Sequence, residues 1–143
     1  LSYNGIVYNA FLPRNRLMEW GENMRRHILT IGIRTSLLNA LESTVPKDKV
    51  QIITSPDIKI AEWLLAHRGF AVMIVDLELF LQLTPDFLNE IRRKALYIIV
   101  LGNAGTKYNW RVEDAVDLFL SYQIPLLKLW VLIMNALSLR IGE

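Results

Sequence analysis

From His27 onward, short apolar runs alternate with longer stretches whose apolar residues fall three and four apart. Runs of the first kind predict buried strands, and stretches of the second kind predict helices with one apolar face. The predicted strands are Ile28–Ile33, Val50–Thr54, Ala71–Val75, Tyr97–Leu101 and a short Leu118–Ser121. Between the first two, Thr35 or Ser36 caps a helix bearing Leu37, Leu38, Leu41 and Val45, which Pro46 stops. Ser55-Pro56-Asp57 opens the next helix, with Ile60, Trp63, Leu64 and His67 on one side and Gly69 as its stop. Thr84-Pro85-Asp86 opens a third, carrying Phe87, Leu88, Ile91 and Ala95. Val112–Val116 reads as a short helix, and Pro125 opens a final one that runs to about Leu139.

Five strand–helix units of this length predict an α/β domain, a doubly wound parallel sheet of the flavodoxin-like (βα)5 kind with helices on both faces. The stretch 1–25 has a different pattern and is expected to be an N-terminal extension or linker, leaving 26–143 as the domain. Its first part, Leu1 to Phe11, reads as a strand ended by Pro13, and Arg14 to Arg26 carries Leu17, Trp20 and Met24 on one helical stripe.

Composition narrows the chemistry. Among 143 residues, 52% are hydrophobic, enough to bury a core. A net charge of +2 is weak evidence for nucleic acid binding, which usually shows a clustered basic face, and no nucleic acid partner is expected. The cluster Arg92-Arg93-Lys94 reads as a solvated helix face. With no cysteine, disulfides, thiolate metal sites and Cys nucleophiles are excluded. His27 and His67 share no ligand spacing, so no metal site is expected. The most apolar stretch, Leu126 to Ile141, contains Lys128, Asn135 and Arg140, so no membrane span is expected. Gly102-Asn103-Ala104-Gly105 lacks the lysine of a phosphate-binding loop and reads as a turn.

The candidate chemistry is Asp76. It ends the run Ala71-Val72-Met73-Ile74-Val75, and in open parallel sheets ligands and reactive groups gather beyond the carboxyl ends of strands. Glu78, two residues on, would share its face if the strand continued.

Together with Ile98-Ile99-Val100-Leu101 and Asp117-Leu118-Phe119-Leu120-Ser121, this strand makes residues 26–140 resemble the receiver (CheY-like) domain of response regulators and hybrid histidine kinases. The resemblance makes Asp76 the phosphoacceptor candidate. It also implies two Mg²⁺-binding acids after the first strand, a Thr or Ser after the fourth, and a Lys-Pro pair after the fifth. Here those places read Gly32 and Ile33, Gly102, and Tyr122-Gln123. The expectation is a degenerate, or pseudo-receiver, site with no cofactor, Mg²⁺ included. Asn4 to Pro13 also resembles the last strand of a histidine-kinase ATP-binding domain, which would make a hybrid kinase one source of the chain; a plain extra strand or a helical arm is the alternative reading of that stretch.

The last helix is apolar nearly all round, so a second covering surface is expected. Leu126, Leu129, Trp130 and Ile133 are its interface candidates. The covering surface is either a second copy or the N-terminal extension. The functional expectation is a cytoplasmic two-component signalling domain, not an enzyme beyond autophosphotransfer to Asp76. It would work through a protein partner, such as a histidine kinase or output domain, or as a homodimer. A working phosphoacceptor and a flavodoxin-like binding domain, its ligand near Gly32, Gly102 and Tyr122, stay open as alternatives.

Overall fold

A parallel sheet organises the chain, and its strand order follows from where the apolar runs fall. The computed structural model describes residues 26–103 and 116–141, with side chains to residue 138. The strands are β1 (Arg26–Ile31), β2 (Val50–Ser55), β3 (Val72–Asp76), β4 (Tyr97–Gly102) and β5 (Leu118–Ser121). They are all parallel, in the order β2-β1-β3-β4-β5. The helices are α1 (Thr35–Thr44), α2 (Ile58–His67), α3 (Leu77–Phe80), α4 (Pro85–Arg93) and α5 (Leu126–Ile141). The fold class is the flavodoxin-like one expected from the pattern. The expected elements within 1–25, the second half of the Gly102–Gly105 turn and most of Val112–Val116 lie outside the described residues.

Strand alternation divides the core into two layers. Leu29, Ile31, Met73, Val75, Ile98 and Val100 pack with Ala61 and Leu65 of α2 and Phe87 and Ile91 of α4. Ile28, Val72, Ile74, Ile99 and Leu101 pack on the other side with Leu41 of α1 and Leu129, Ile133, Ala136 and Leu137 of α5. Each fully buried Leu or Ile contributes roughly 1.5–3 kcal/mol of transfer free energy. Thr30 is buried in mid-strand and donates its hydroxyl to Thr54 Oγ1 at 3.2 Å, which offsets its desolvation.

Several local expectations are corrected. β1 runs from Arg26 to Ile31 rather than to Ile33, because Gly32 turns at φ +67° and takes the chain out of the sheet. Arg34 precedes α1 and makes no side-chain cap, so neither Thr35 nor Ser36 caps it. In α2 the inward face is Ala61 and Leu65, while Ile60 and Trp63 are 44% and 60% exposed. Trp63 instead stacks on His67 at 4.2 Å. Gly69 needs no left-handed conformation, since Arg68 ends α2 in an extended one. Thr84 caps α4, accepting from Phe87 N–H at 3.1 Å, and in Ser55-Pro56-Asp57 it is Asp57 that caps α2, accepting from Ile60 N–H at 2.9 Å.

Ala95 lies beyond α4 rather than on it. It is exposed and sits at φ +58°, the left-handed stop position that glycine fills without strain. Ala95→Gly is therefore expected to stabilise the protein by about 0.5–1 kcal/mol, read as a higher urea midpoint. A lower midpoint would mean that unfolded-chain entropy outweighs the relief of strain.

Candidate functional site

Strand order reverses between β1 and β3, and this opens a crevice beyond their carboxyl ends. Asp76 closes β3 there and is half-buried. Its carboxylate is engaged on both oxygens. Oδ2 accepts the N–H of Glu78 at 3.0 Å, which caps the short helix α3. Oδ1 accepts the hydroxyl of Tyr122 at 2.6 Å. Because the chain turns helical at Leu77, the strand alternation that would place Glu78 beside Asp76 does not apply. Glu78 is exposed.

Tyr122 is placed by a tight turn after β5. Its N–H donates to Gly102 O at 2.9 Å, and Ile124 N–H donates to Ser121 O at 3.0 Å. Gln123 N–H donates to Ser121 Oγ at 3.0 Å. Asp117 fixes the other end of the strand by accepting Ile98 N–H at 2.7 Å. Over the Tyr122 ring lies the guanidinium of Arg34, 4.0 Å from the centroid, and Arg34 also donates to Asn103 Oδ1. Arg34, Asp76, Asn103 and Tyr122 thus meet from the ends of β1, β3, β4 and β5.

Burial pushes the Tyr122 phenol above its ordinary value of 10.0, and the Asp76 hydrogen bond and charge push the same way; Arg34 opposes them. A raised value means that this group's contribution is fully present below about pH 10 and is lost as pH rises beyond it. In an alkaline titration followed by phenolate absorbance, Tyr122→Phe should remove a component that ionises above the ordinary tyrosine range. Loss of an ordinary component instead would place the Tyr122 hydroxyl in solvent.

The positions named from the resemblance behave differently from one another. Tyr122 reaches Asp76. Ile33 is 7% exposed and belongs to the core under α1 and α5. Gly102 is buried, and a Cβ there would lie 3.2 Å from Phe119 and 3.3 Å from Leu77. At Gly32 a Cβ would lie 2.2 Å from Leu79 Cδ1 and 3.8 Å from the Cβ of Asp76. Of the interface candidates, Leu129 and Ile133 are core residues, 0% and 1% exposed, so they offer no face to a partner. Leu126 and Trp130 are half-buried. The exposed apolar stripe of α5 is Leu127, Val131 and Met134 instead.

The donor set does not fit Mg²⁺, which takes near-octahedral oxygen ligands, commonly including one or two carboxylates. Asp76 is a single carboxylate with both oxygens already hydrogen-bonded, and the nearby charged group is a guanidinium. Among the described residues no three His, Asp or Glu side chains are grouped to hold a metal. Nor is any described helix long and apolar enough to cross a membrane.

Arg34 and Asn103 are the participants that sequence reasoning missed. A basic residue just past the first strand was the available signal for Arg34. Its partners lie 69 and 88 positions away, so only the packed sheet reveals the contact.

No protein-family model matches the sequence, and neither does any curated protein. Solved structures do match. One is the signal receiver domain of an HD domain-containing protein from Pseudomonas fluorescens Pf-5, with 19% identity and a TM-score of 0.65 over 83% of this chain and 99% of that one. Another is a response regulator receiver modulated diguanylate cyclase from Pelobacter carbinolicus, with 19% identity and a TM-score of 0.60 over 82% and 96%. A third is a response regulator from Burkholderia pseudomallei carrying a phosphorylated aspartic acid, a calcium ion and citrate, with 16% identity and a TM-score of 0.58 over 82% and 72%. The chain has the fold of a response-regulator receiver domain.

Proposed function

We propose that this chain is a receiver-like signalling module that works by contact with another protein, or with a second copy of itself, and not by turnover of an aspartyl phosphate. The observation that carries this reading is the Tyr122 hydroxyl on Asp76 Oδ1, with the other oxygen given to Glu78 N–H. Phosphoryl transfer depends on positioned cations that neutralise developing charge. At this site the carboxylate faces a phenol, and the guanidinium stands behind the ring.

The contact surface we favour is the α5 stripe of Leu127, Val131 and Met134, at 74%, 56% and 36% exposure. Two fold neighbours are named as a receiver-modulated diguanylate cyclase and as the receiver of an HD domain-containing protein. By analogy we propose an output domain or a histidine kinase as the partner, in a cytoplasmic two-component pathway. A degenerate receiver of a hybrid kinase fits the same reading. The working-phosphoacceptor reading draws on the strand-end position of Asp76 and on the phosphorylated aspartate of the Burkholderia neighbour.

Intact-mass spectrometry after incubation with acetyl phosphate and MgCl₂ separates the two. No phosphoryl adduct is expected. An adduct on the native chain that is absent from Asp76→Asn would overturn the contact-only reading and make Asp76 a phosphoacceptor.

A further inference from the structure

The mismatch between this donor set and a divalent cation leaves a charge to be explained. Asp76 puts a carboxylate at the ends of the strands, half-buried, where an uncompensated charge is costly. We propose that Arg34 is the resident cation of the site and Tyr122 its cover, so that the Asp76 centre is complete without Mg²⁺. This deepens the reading above and rests on it.

Three observations carry the assignment. First, Arg34 is held in a set orientation despite its exposure. One guanidinium nitrogen donates to Asn103 Oδ1, and the guanidinium carbon lies 4.0 Å from the Tyr122 centroid. Second, the Tyr122 hydroxyl donates to the anion at 2.6 Å. A phenol that donates to a carboxylate has a more electron-rich ring, which strengthens its attraction for a cation above it. Guanidinium, phenol and carboxylate thus form one polarised series whose net charge is zero. Third, packing leaves little room for a side chain at the two positions where the resemblance puts a metal-binding acid and a phosphoryl-binding hydroxyl. A Cβ at Gly32 would overlap Leu79, and one at Gly102 would press on Phe119 and Leu77.

The series also has a mechanical consequence. Tyr122 lies three residues before Pro125, whose carbonyl accepts Leu129 N–H at 3.0 Å at the start of α5. A cover fixed on Asp76 therefore fixes the entry to the helix that carries the exposed apolar stripe. In a closed state of this kind the α5 surface is presented constantly, with no dependence on a cation or a phosphoryl donor.

The test is thermal unfolding of the full chain in EDTA and in millimolar MgCl₂ at matched ionic strength. The chains compared are the native protein, Arg34→Ala, Arg34→Lys and the double variant Arg34→Ala/Asp76→Asn. Arg34 is on an exposed loop, so its variants should fold. The native midpoint should be the same in both buffers. Arg34→Ala should melt lower in EDTA by about 4 °C and regain part of this in MgCl₂, because the Asp76 charge then has no cation near it. Arg34→Lys should keep the native indifference to Mg²⁺. The double variant should lose the Mg²⁺ response, since no charge is left to compensate, whereas a purely structural role for Arg34 would show no such response in any variant. A native chain stabilised by Mg²⁺, or an Arg34→Ala chain with equal midpoints in both buffers, would overturn the proposal. Phosphorylation of Asp76 in EDTA would sink the contact-only function yet leave Arg34 as the resident cation, so the two failures are distinguishable.

Discussion

Leu129→Ala should cost about 2–5 kcal/mol of unfolding free energy, a large share of what holds a domain of this size together. The side chain is 0% exposed and packs in the layer formed by Ile28, Val72, Ile74, Ile99 and Leu101. Shortening it leaves a cavity that five rigid strand residues cannot collapse into. Val131→Asp, two residues along the same helix, should change the stability of an isolated molecule by no more than about 0.5 kcal/mol, because Val131 is 56% exposed. The same change should weaken any association made through α5. Urea unfolding of both variants, with sedimentation of Val131→Asp beside the native chain, checks the pair. If Leu129→Ala were silent, or Val131→Asp unfolded an isolated molecule, the assignment of core and surface on this helix would be reversed.

Gly32→Asp is the second large effect, expected to cost about 2–4 kcal/mol in EDTA. Three causes add. The residue sits at φ +67°, which a side chain adopts with strain. Its Cβ would lie 2.2 Å from Leu79 Cδ1, so Leu79 must leave its place. The introduced carboxylate would also stand close to Asp76, whose Cβ is 3.8 Å from the new one. Magnesium chloride should return the repulsive part, because a paired carboxylate site then exists, and none of the steric part. Denaturant midpoints with and without the cation report this. A variant as stable as the native chain in EDTA would show that Gly32 is not held to its backbone conformation or its close contact.

The same region shows how far the sequence could be read. The apolar run of residues 71–75 and its terminal acid placed Asp76 at a strand end, and the structure has it there. The vacancies at Gly32 and Gly102 were also legible as missing carboxylate and hydroxyl groups. What fills the space was not. Tyr122 was read as an absent lysine, whereas it supplies a hydroxyl to the carboxylate. Glu78 does not join Asp76 for a local reason: Asp76 caps a helical turn, so the period of two stops at the acid. On α5, an apolar sequence nearly all round the helix could not say which stripe faces the sheet, and the candidates Leu129 and Ile133 proved to be core.

Period and punctuation are properties of neighbours along the chain. They sufficed for the alternation of strands and helices, the parallel sheet and the position of Asp76 at the end of β3. The cluster of Arg34, Asn103 and Tyr122 around that acid was decided only by the tertiary structure. Its members lie on loops that β1, β4 and β5 bring to one end of the sheet, and no local spacing encodes a meeting between residues tens of positions apart.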